Sequence, residues 1–398
     1  MKLLFLTTSI TLVTLIISIN QVHGLADPVT AQSSAVGLPF KVGGAELRPQ
    51  DLPDFLHPYH TKSLELTEST LSNRALTCAR AVRYGPEEHQ LLDVWAASFP
   101  GDDEAPTSAG RGAARPAVPV VVFLHGGGWD WGYREWVGFC ARNVCRDGQA
   151  VMVAPSYAIG RGASQAWPAS RDDVTDVLRW VSDADNDGET TVASRGGDPS
   201  KMILAGHSAG GHLAACVGLD RELLEGAGLD PDVVRALFLI SCPLGIRAED
   251  FFSSLSKWKW LWKVVGPAAK LLYKRAFLKF LKPVVGSAGK GEGQTTRASV
   301  RRAAEDASPL FRLAVLREKD KRNGGRQQLS YPFVHYSYAA EKDFPICRPH
   351  AQSLSDILGE DNVEVLEMPV EGHFESHFSL DDPSNEWHDA LQKTLSSM

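Results

Sequence analysis

Along the chain the spacing of apolar and polar positions changes several times, and each change marks an element. Met1-Lys2, the apolar run Leu3 to Ile19 and then Gln21-Val22-His23-Gly24 form a charged start, an apolar stretch and a small-residue cleavage site. This predicts a presequence over residues 1–24, cleaved after Gly24. The run is close to the lower limit of roughly 17 residues for a spanning helix, so an uncleaved signal anchor is the competing reading. Both readings place the rest of the chain in the secretory lumen or outside the cell. Residues 25–75 carry several prolines and little periodicity, as in Leu52-Pro53 and His57-Pro58-Tyr59-His60, and are expected to be an irregular N-terminal extension.

Regular alternation begins near Ala79. Ala81 to Tyr84, the turn signal Gly85-Pro86 and Leu91 to Trp95 read as a hairpin, and Gly101 to Ala117, rich in Gly, Pro, Ala and Ser, as a surface loop. Val120 to Leu124 is a continuous apolar run, the mark of a strand buried on both faces of a parallel sheet, and Ala150 to Ala154 is a second. Ser170 followed by Asp173 reads as a capping box, after which Val174, Val177, Leu178 and Val181 recur at helical spacing. Strands at Met202–Ala205, Ala236–Ser241, Phe333–Tyr338 and Val363–Met368, and helices over 209–219 and 386–396, complete the pattern. Strands separated by helices imply βαβ crossovers and a mostly parallel sheet, within one domain over residues 76–398.

Composition narrows the function classes. The chain has 398 residues, 43% hydrophobic and 22% charged, with a net charge of −7, which is globular and offers no basic surface for nucleic acid. Six cysteines are compatible with disulfides in an oxidising compartment, but spacing assigns no pairs, and there is no Asn-x-Ser/Thr sequon.

The candidate chemistry lies at strand ends. Gly206-His207-Ser208-Ala209-Gly210-Gly211 follows one strand and opens a helix, the strand–turn–helix context a nucleophile elbow requires. His125-Gly126-Gly127-Gly128-Trp129 follows another. Acyl transfer places negative charge on the carbonyl oxygen, and preorganised amide N–H donors are each worth about 2.7–4 kcal/mol there. Gly126 or Gly127, together with Ala209, are the expected donors, and Trp129 and His207 are expected to line the substrate site. A serine hydroxyl needs a base, and the base an orienting acid. Asp343, just past the Phe333–Tyr338 strand, is the candidate acid, with Glu341 as runner-up. His373, in the loop after the last strand, is the candidate base, with His377 as its rival; His335 and His350 read as structural.

These stretches resemble the α/β-hydrolase fold esterases with a His-Gly-Gly-Gly-Trp oxyanion loop, in the group of kynurenine formamidase-like, feruloyl-esterase-like and prenylcysteine methylesterase-like enzymes. Pro155-Ser156-Tyr157, Gly197 to Lys201, Ser308-Pro309-Leu310 and Gly372-His373-Phe374 extend the likeness over about residues 79–378. The resemblance implies an eight-stranded, mostly parallel sheet flanked by helices, a Ser208, Asp343 and His373 triad, a small-molecule ester substrate and no cofactor. It leaves open an aryl-formamide substrate or a non-catalytic binding module. Two departures stand out: Tyr338 to Asp343 lacks the glycine usual before the acid, and residues 251–330 have no counterpart.

That unmatched stretch is expected to form a cap insertion over about 245–330. Its part from Phe251 to Lys290 contains nine Lys or Arg and no Asp or Glu, with Trp258, Trp260, Trp262, Phe277 and Phe280 among them. A basic, aromatic cap suits peripheral contact with an anionic membrane as well as it suits packing on the core. Two metal patterns are expected to be empty. Asp183 to Gly188 starts like a calcium loop but has Ser194 at the twelfth position, and between His373 and His377 no Glu stands in the zinc-protease register, Phe374 occupying that place.

Overall fold

The computed structural model describes residues 40–42, 45–47, 52–99, 117–160, 166–183, 192–247, 297–322 and 330–398. The presequence, most of the loop at 101–117, the acidic turn at 184–188 and the basic cap stretch at 251–290 lie outside the described residues.

The strands are β1 (Phe40–Val42), β2 (Ala45–Leu47), β3 (Leu76–Arg83), β4 (Leu91–Ala97), β5 (Val118–Leu124), β6 (Val151–Pro155), β7 (Gly197–His207), β8 (Val234–Ile240), β9 (Phe333–Ala339) and β10 (Val363–Met368). β1 and β2 form a small hairpin of their own. The other eight make one sheet in the order β10-β9-β8-β7-β5-β6-β4-β3. It is parallel from β10 to β6, while β4 at the far side runs antiparallel to both of its neighbours, β6 and the edge strand β3. The continuous apolar runs arise because both faces are covered. On β5, Val120, Val122 and Leu124 belong to one core and Val121 and Phe123 to the other, and β7 divides Met202 and Leu204 from Ile203 and Ala205 in the same way.

The helices are α1 (His57–Leu71), α2 (Ala169–Ser182), α3 (Ala209–Gly218), α4 (Arg221–Gly226), α5 (Arg297–Asp306), α6 (Pro309–Arg322), α7 (Cys347–Leu358), α8 (His373–Phe378) and α9 (Glu386–Ser397). α1 corrects the expectation of an irregular extension over 25–75. Its buried positions are Tyr59, His60, Ser63, Thr67 and Thr70, so a hydropathy pattern does not reveal it. Pro58 stands in the first turn, where a missing N–H costs nothing. Thr67 packs against Gly138 and donates to the Glu135 carbonyl at 2.9 Å.

The capping box is a second correction. α2 starts at Ala169, which puts Ser170 inside the first turn with no capping bond. The Asp173 carboxylate turns away to accept from the Gln90 amide, the Ala158 N–H and the His89 ring, each at 2.7 Å. Tying the β3–β4 hairpin to the loop after β6 outweighs a local cap. The helical spacing of Val174, Val177, Leu178 and Val181 does mark the buried face. All six cysteines are free thiols, five of them buried. The end of the insertion is helical, as α5 and α6, and Ser308 anchors it by accepting from the Ile246 N–H and donating to the Ala304 carbonyl.

α3 passes so close to β5 that a Cβ on Gly210 would lie 2.3 Å from the Leu124 carbonyl oxygen and 2.4 Å from that of His125. Backbone atoms cannot yield as a flexible side chain can. Gly210→Ala is therefore expected to destabilise the fold by at least about 2 kcal/mol, whereas Gly226→Ala, with nothing within 4 Å of the new methyl, is neutral or mildly stabilising. Chemical denaturation of the two variants beside wild type checks the contrast.

Candidate active site

Ser208 stands between the end of β7 and the start of α3 with φ 54° and ψ −119°. A serine in that region is strained at a cost of about 1–3 kcal/mol and is held there only by its surroundings. Its N–H donates to the Ile240 carbonyl at 2.8 Å, and its carbonyl accepts from the His212 N–H at 3.0 Å, one turn into α3. The turn lifts the hydroxyl out of the sheet to 2.9 Å from Nε2 of His373.

His373 is the first residue of α8, and a backbone bridge between Lys342 and Gly372 brings its loop beside the end of β9. Its Nδ1 is 2.9 Å from Oδ1 of Asp343. The Asp343 side chain is 3% exposed. Burial by itself would raise this carboxyl, but the bond and charge of His373, with bonds from the Ser241 hydroxyl and the Ala339 N–H, outweigh it and hold the pKa below the ordinary value. The Phe344 N–H adds a fourth donor at 2.7 Å. The structure thus brings Ser208, His373 and Asp343 into one hydrogen-bonded line. Glu341 is exposed. His377 is buried away from the hydroxyl, 3.1 Å from the Trp136 carbonyl, with its pKa lowered to about 3 by burial. His335 meets Glu364, and His350 accepts from the Leu244 N–H. The glycine absent before the acid is not needed, since Ala339 and Ala340 make the turn with N–H bonds to Asp343 and to the Met368 carbonyl.

The His125–Trp129 loop runs beside the nucleophile. A Cβ on Gly126 would lie 3.3 Å from that of Ser208, so only glycine leaves room for a substrate carbonyl there. Gly127 has φ 124°, and its carbonyl accepts from the Trp131 N–H, which closes the loop on itself. Among the described residues the amides of Gly126 and Gly127 donate to no backbone acceptor. Ala209 is the first residue of α3, where the helix offers its N–H no partner. Of the three expected donors, Gly126 thus lies against Ser208 across space and Ala209 follows it in the chain. His125 fixes the start of the loop by stacking on Tyr157 at 4.1 Å, and the Tyr157 hydroxyl donates to the His125 carbonyl.

Trp129 and His207, expected to line the substrate site, are each 1% exposed and turned inward. The Trp129 indole N–H donates to Nδ1 of His212 at 3.2 Å. His207 lies within a stack of rings, 4.7 Å from His373 and 4.8 Å from His377, with Nε2 2.8 Å from the His373 carbonyl. Burial, and then the neighbouring histidines, hold it neutral. Packing around the turns claims both side chains as supports. Sequence reasoning missed Ser241, whose hydroxyl donates to Oδ2 of Asp343 at 2.5 Å and lies 2.7 Å from that of Ser376, itself 2.7 Å from the His373 carbonyl. Its only signal is a polar residue at the end of an apolar strand. Tyr59 of α1 was also missed; its ring packs on Phe374, His377 and Phe378. Among the described residues no cluster of three or more His, Cys, Asp or Glu is placed to hold a metal ion, and no helix is long and apolar enough to cross a membrane.

Residues 121–286 match a family model described as the alpha/beta hydrolase fold. A carboxylesterase of Mycobacterium tuberculosis, NlhH, is 35% identical over 124 residues, 31% of this chain and 35% of that protein. A probable isoprenylcysteine alpha-carbonyl methylesterase of Oryza sativa is 30% identical over 149 residues, 37% of this chain and 30% of that protein. The chain thus spans about a third of the length of these curated relatives. Among solved structures, inhibited esterase B of Lactobacillus rhamnosis aligns with a TM-score of 0.53 at 17% identity, covering 85% of this chain and 96% of that one. The esterase of Pyrobaculum calidifontis aligns with a TM-score of 0.53 at 16% identity, over 88% and 93%. Sheet order, elbow geometry and the matched segment together make this chain an α/β-hydrolase-fold protein.

Proposed function

We propose that this protein is a serine hydrolase of carboxylic esters that works through an acyl-enzyme. The observation that carries the reading is the continuous line from Ser208 Oγ to His373 Nε2 and from His373 Nδ1 to Asp343 Oδ1, each contact 2.9 Å, beside a glycine loop whose Gly126 and Gly127 amides donate to no backbone acceptor among the described residues. His373 takes the Ser208 proton as Oγ attacks the ester carbonyl, and Asp343 orients and stabilises the imidazolium. The amides of Gly126 or Gly127 and of Ala209 hold the oxyanion. His373 returns the proton to the leaving alcohol, and water hydrolyses the acyl-enzyme by the same route. Esters are favoured over amides because the relatives named above are a carboxylesterase and a methylesterase. We further propose that residues 1–24 direct the protein to the secretory lumen or out of the cell and that the basic, aromatic stretch 251–290 contacts anionic membranes, readings supported by the apolar run of the first segment and the charge and ring content of the second.

Labelling with a fluorophosphonate probe tests the nucleophile. Wild type should label, Ser208→Ala should not, and His373→Ala and Asp343→Asn should label about 100-fold more slowly or worse. A folded wild-type protein that does not label would sink the hydrolase reading in favour of a binding module. Faster turnover of aryl formamides than of p-nitrophenyl esters would move the substrate class to formamides.

The Asp343 environment has a pH signature. A carboxyl with a depressed folded-state pKa contributes stability that is present above its unfolded value, near 3.9, and is lost as pH falls through the folded value. Denaturation below about pH 4 should therefore depend less on pH in Asp343→Asn than in wild type. Ser241→Ala removes one of the bonds that hold the pKa down, and is expected to lower kcat several-fold, up to about tenfold, at unchanged KM. Expression in a secretory host tests location: protein retained in the cytosol would count against the presequence reading.

A further inference from the structure

The oxyanion loop carries a strain that its own glycines do not explain. Trp129, the residue after the three glycines, has φ 62°, a left-handed conformation that a tryptophan adopts only when something holds it. Its indole N–H ends 3.2 Å from Nδ1 of His212, and the two rings meet edge to face at 5.2 Å. On its other side, His212 places Nε2 2.7 Å from the carbonyl of Ala307, the residue that follows α5. The Cys216 sulfur lies 3.5 Å from the same nitrogen.

The proton positions follow from the partners. An indole N–H can only donate and a carbonyl can only accept, so Nδ1 of His212 carries the lone pair and Nε2 the proton. The ring is wholly buried, which lowers its pKa to about 4, so one tautomer persists at neutral pH. His212 stands four residues after Ser208, and its own N–H donates to the Ser208 carbonyl. The side chain that holds Trp129 therefore rides on the same helical turn as the nucleophile. Ala307 in turn is fixed by Ser308, whose hydroxyl donates to the Ala304 carbonyl while accepting from the Ile246 N–H.

We propose that His212 is a positioning residue that holds the Gly126–Trp129 loop in register with Ser208, its tautomer set by the Ala307 carbonyl at the end of the insertion. The relay links three segments that the sequence keeps far apart: the glycine loop, the first turns of α3 and the return of the insertion to the sheet. The inference rests on the hydrolase reading above, because the loop amides matter only if an oxyanion forms beside them.

Trp129→Phe keeps an aromatic ring at the position but removes the indole N–H donor together with part of the ring's volume. His212→Gln places an amide near Nε2, toward Ala307, while His212→Asn places an amide oxygen near Nδ1, toward Trp129. Displacement of reacting groups by about 1 Å can cost on the order of 100-fold. Trp129→Phe and His212→Gln are accordingly expected to lower kcat for a p-nitrophenyl ester by about 10- to 100-fold with KM little changed. The affinity of a trifluoromethyl ketone, which forms a tetrahedral oxyanion on serine, should weaken in proportion to kcat/KM. His212→Asn should recover most of the loss. The two polar replacements burden the core alike, so thermal melts should drop similarly for both while activity separates them. Equal activity of His212→Asn and His212→Gln, or wild-type kcat in Trp129→Phe, would overturn the inference. Failure of wild type to label with fluorophosphonate would instead bring down the hydrolase reading itself.

Discussion

The site depends on one steric constraint, the contact of backbone with backbone where β5, β7 and α3 converge. Gly210 touches the carbonyls of Leu124 and His125 without a side chain between them, and Gly126 passes beside His207 and Ser208. That approach brings the amides after β5 and the hydroxyl after β7 to one point, and it keeps Ser208 in its left-handed conformation. Strain of this kind persists only where packing over-determines it, and here the two layers of side chains on the sheet provide the packing. Relaxing the turn would require α3 to lift off the sheet.

Around that point the protein uses histidine in two ways. His125, His207, His212 and His377 are buried and kept neutral, chiefly by desolvation. Each spends a ring nitrogen on a backbone carbonyl, and among the described residues only His212 of the four has partners at both nitrogens, so it alone is a two-ended spacer. His373 differs from these four in two respects: its ring is 15% exposed and it faces a carboxylate. Burial thus separates the ring placed to move a proton from those that hold the walls. Asp343 is likewise defined by its donors: His373, Ser241 and the amides of Ala339 and Phe344 make the ionised form the stable one in a site that would otherwise favour the neutral acid.

Several features were legible in the residue order because the physics behind them is local. A strand covered on both faces must be apolar at every position, which exposed β5, β6 and β7. A sharp strand-to-helix turn needs small residues on either side, which exposed the elbow at Ser208. Amides left open to an oxyanion need glycines, which exposed Gly126 and Gly127. The chain order of nucleophile, acid and base pointed to Asp343 and His373 because each follows a strand whose end must face the same edge of a parallel sheet.

Other features were settled only when distant segments met. α1 buries serine, threonine and ring residues, so its partner surface at 134–140, and not its own hydropathy, makes it a helix. Asp173 had the spacing of a cap, but a hairpin more than 80 residues away claimed its carboxylate. Trp129 and His207 had the position of substrate contacts, yet packing turned both inward. Ser241 joined the acid across about a hundred residues of chain. Short-range periodicity and steric need are written in neighbouring residues; which polar group receives which buried hydrogen bond depends on what the fold brings within 3 Å, and no local pattern carries that information.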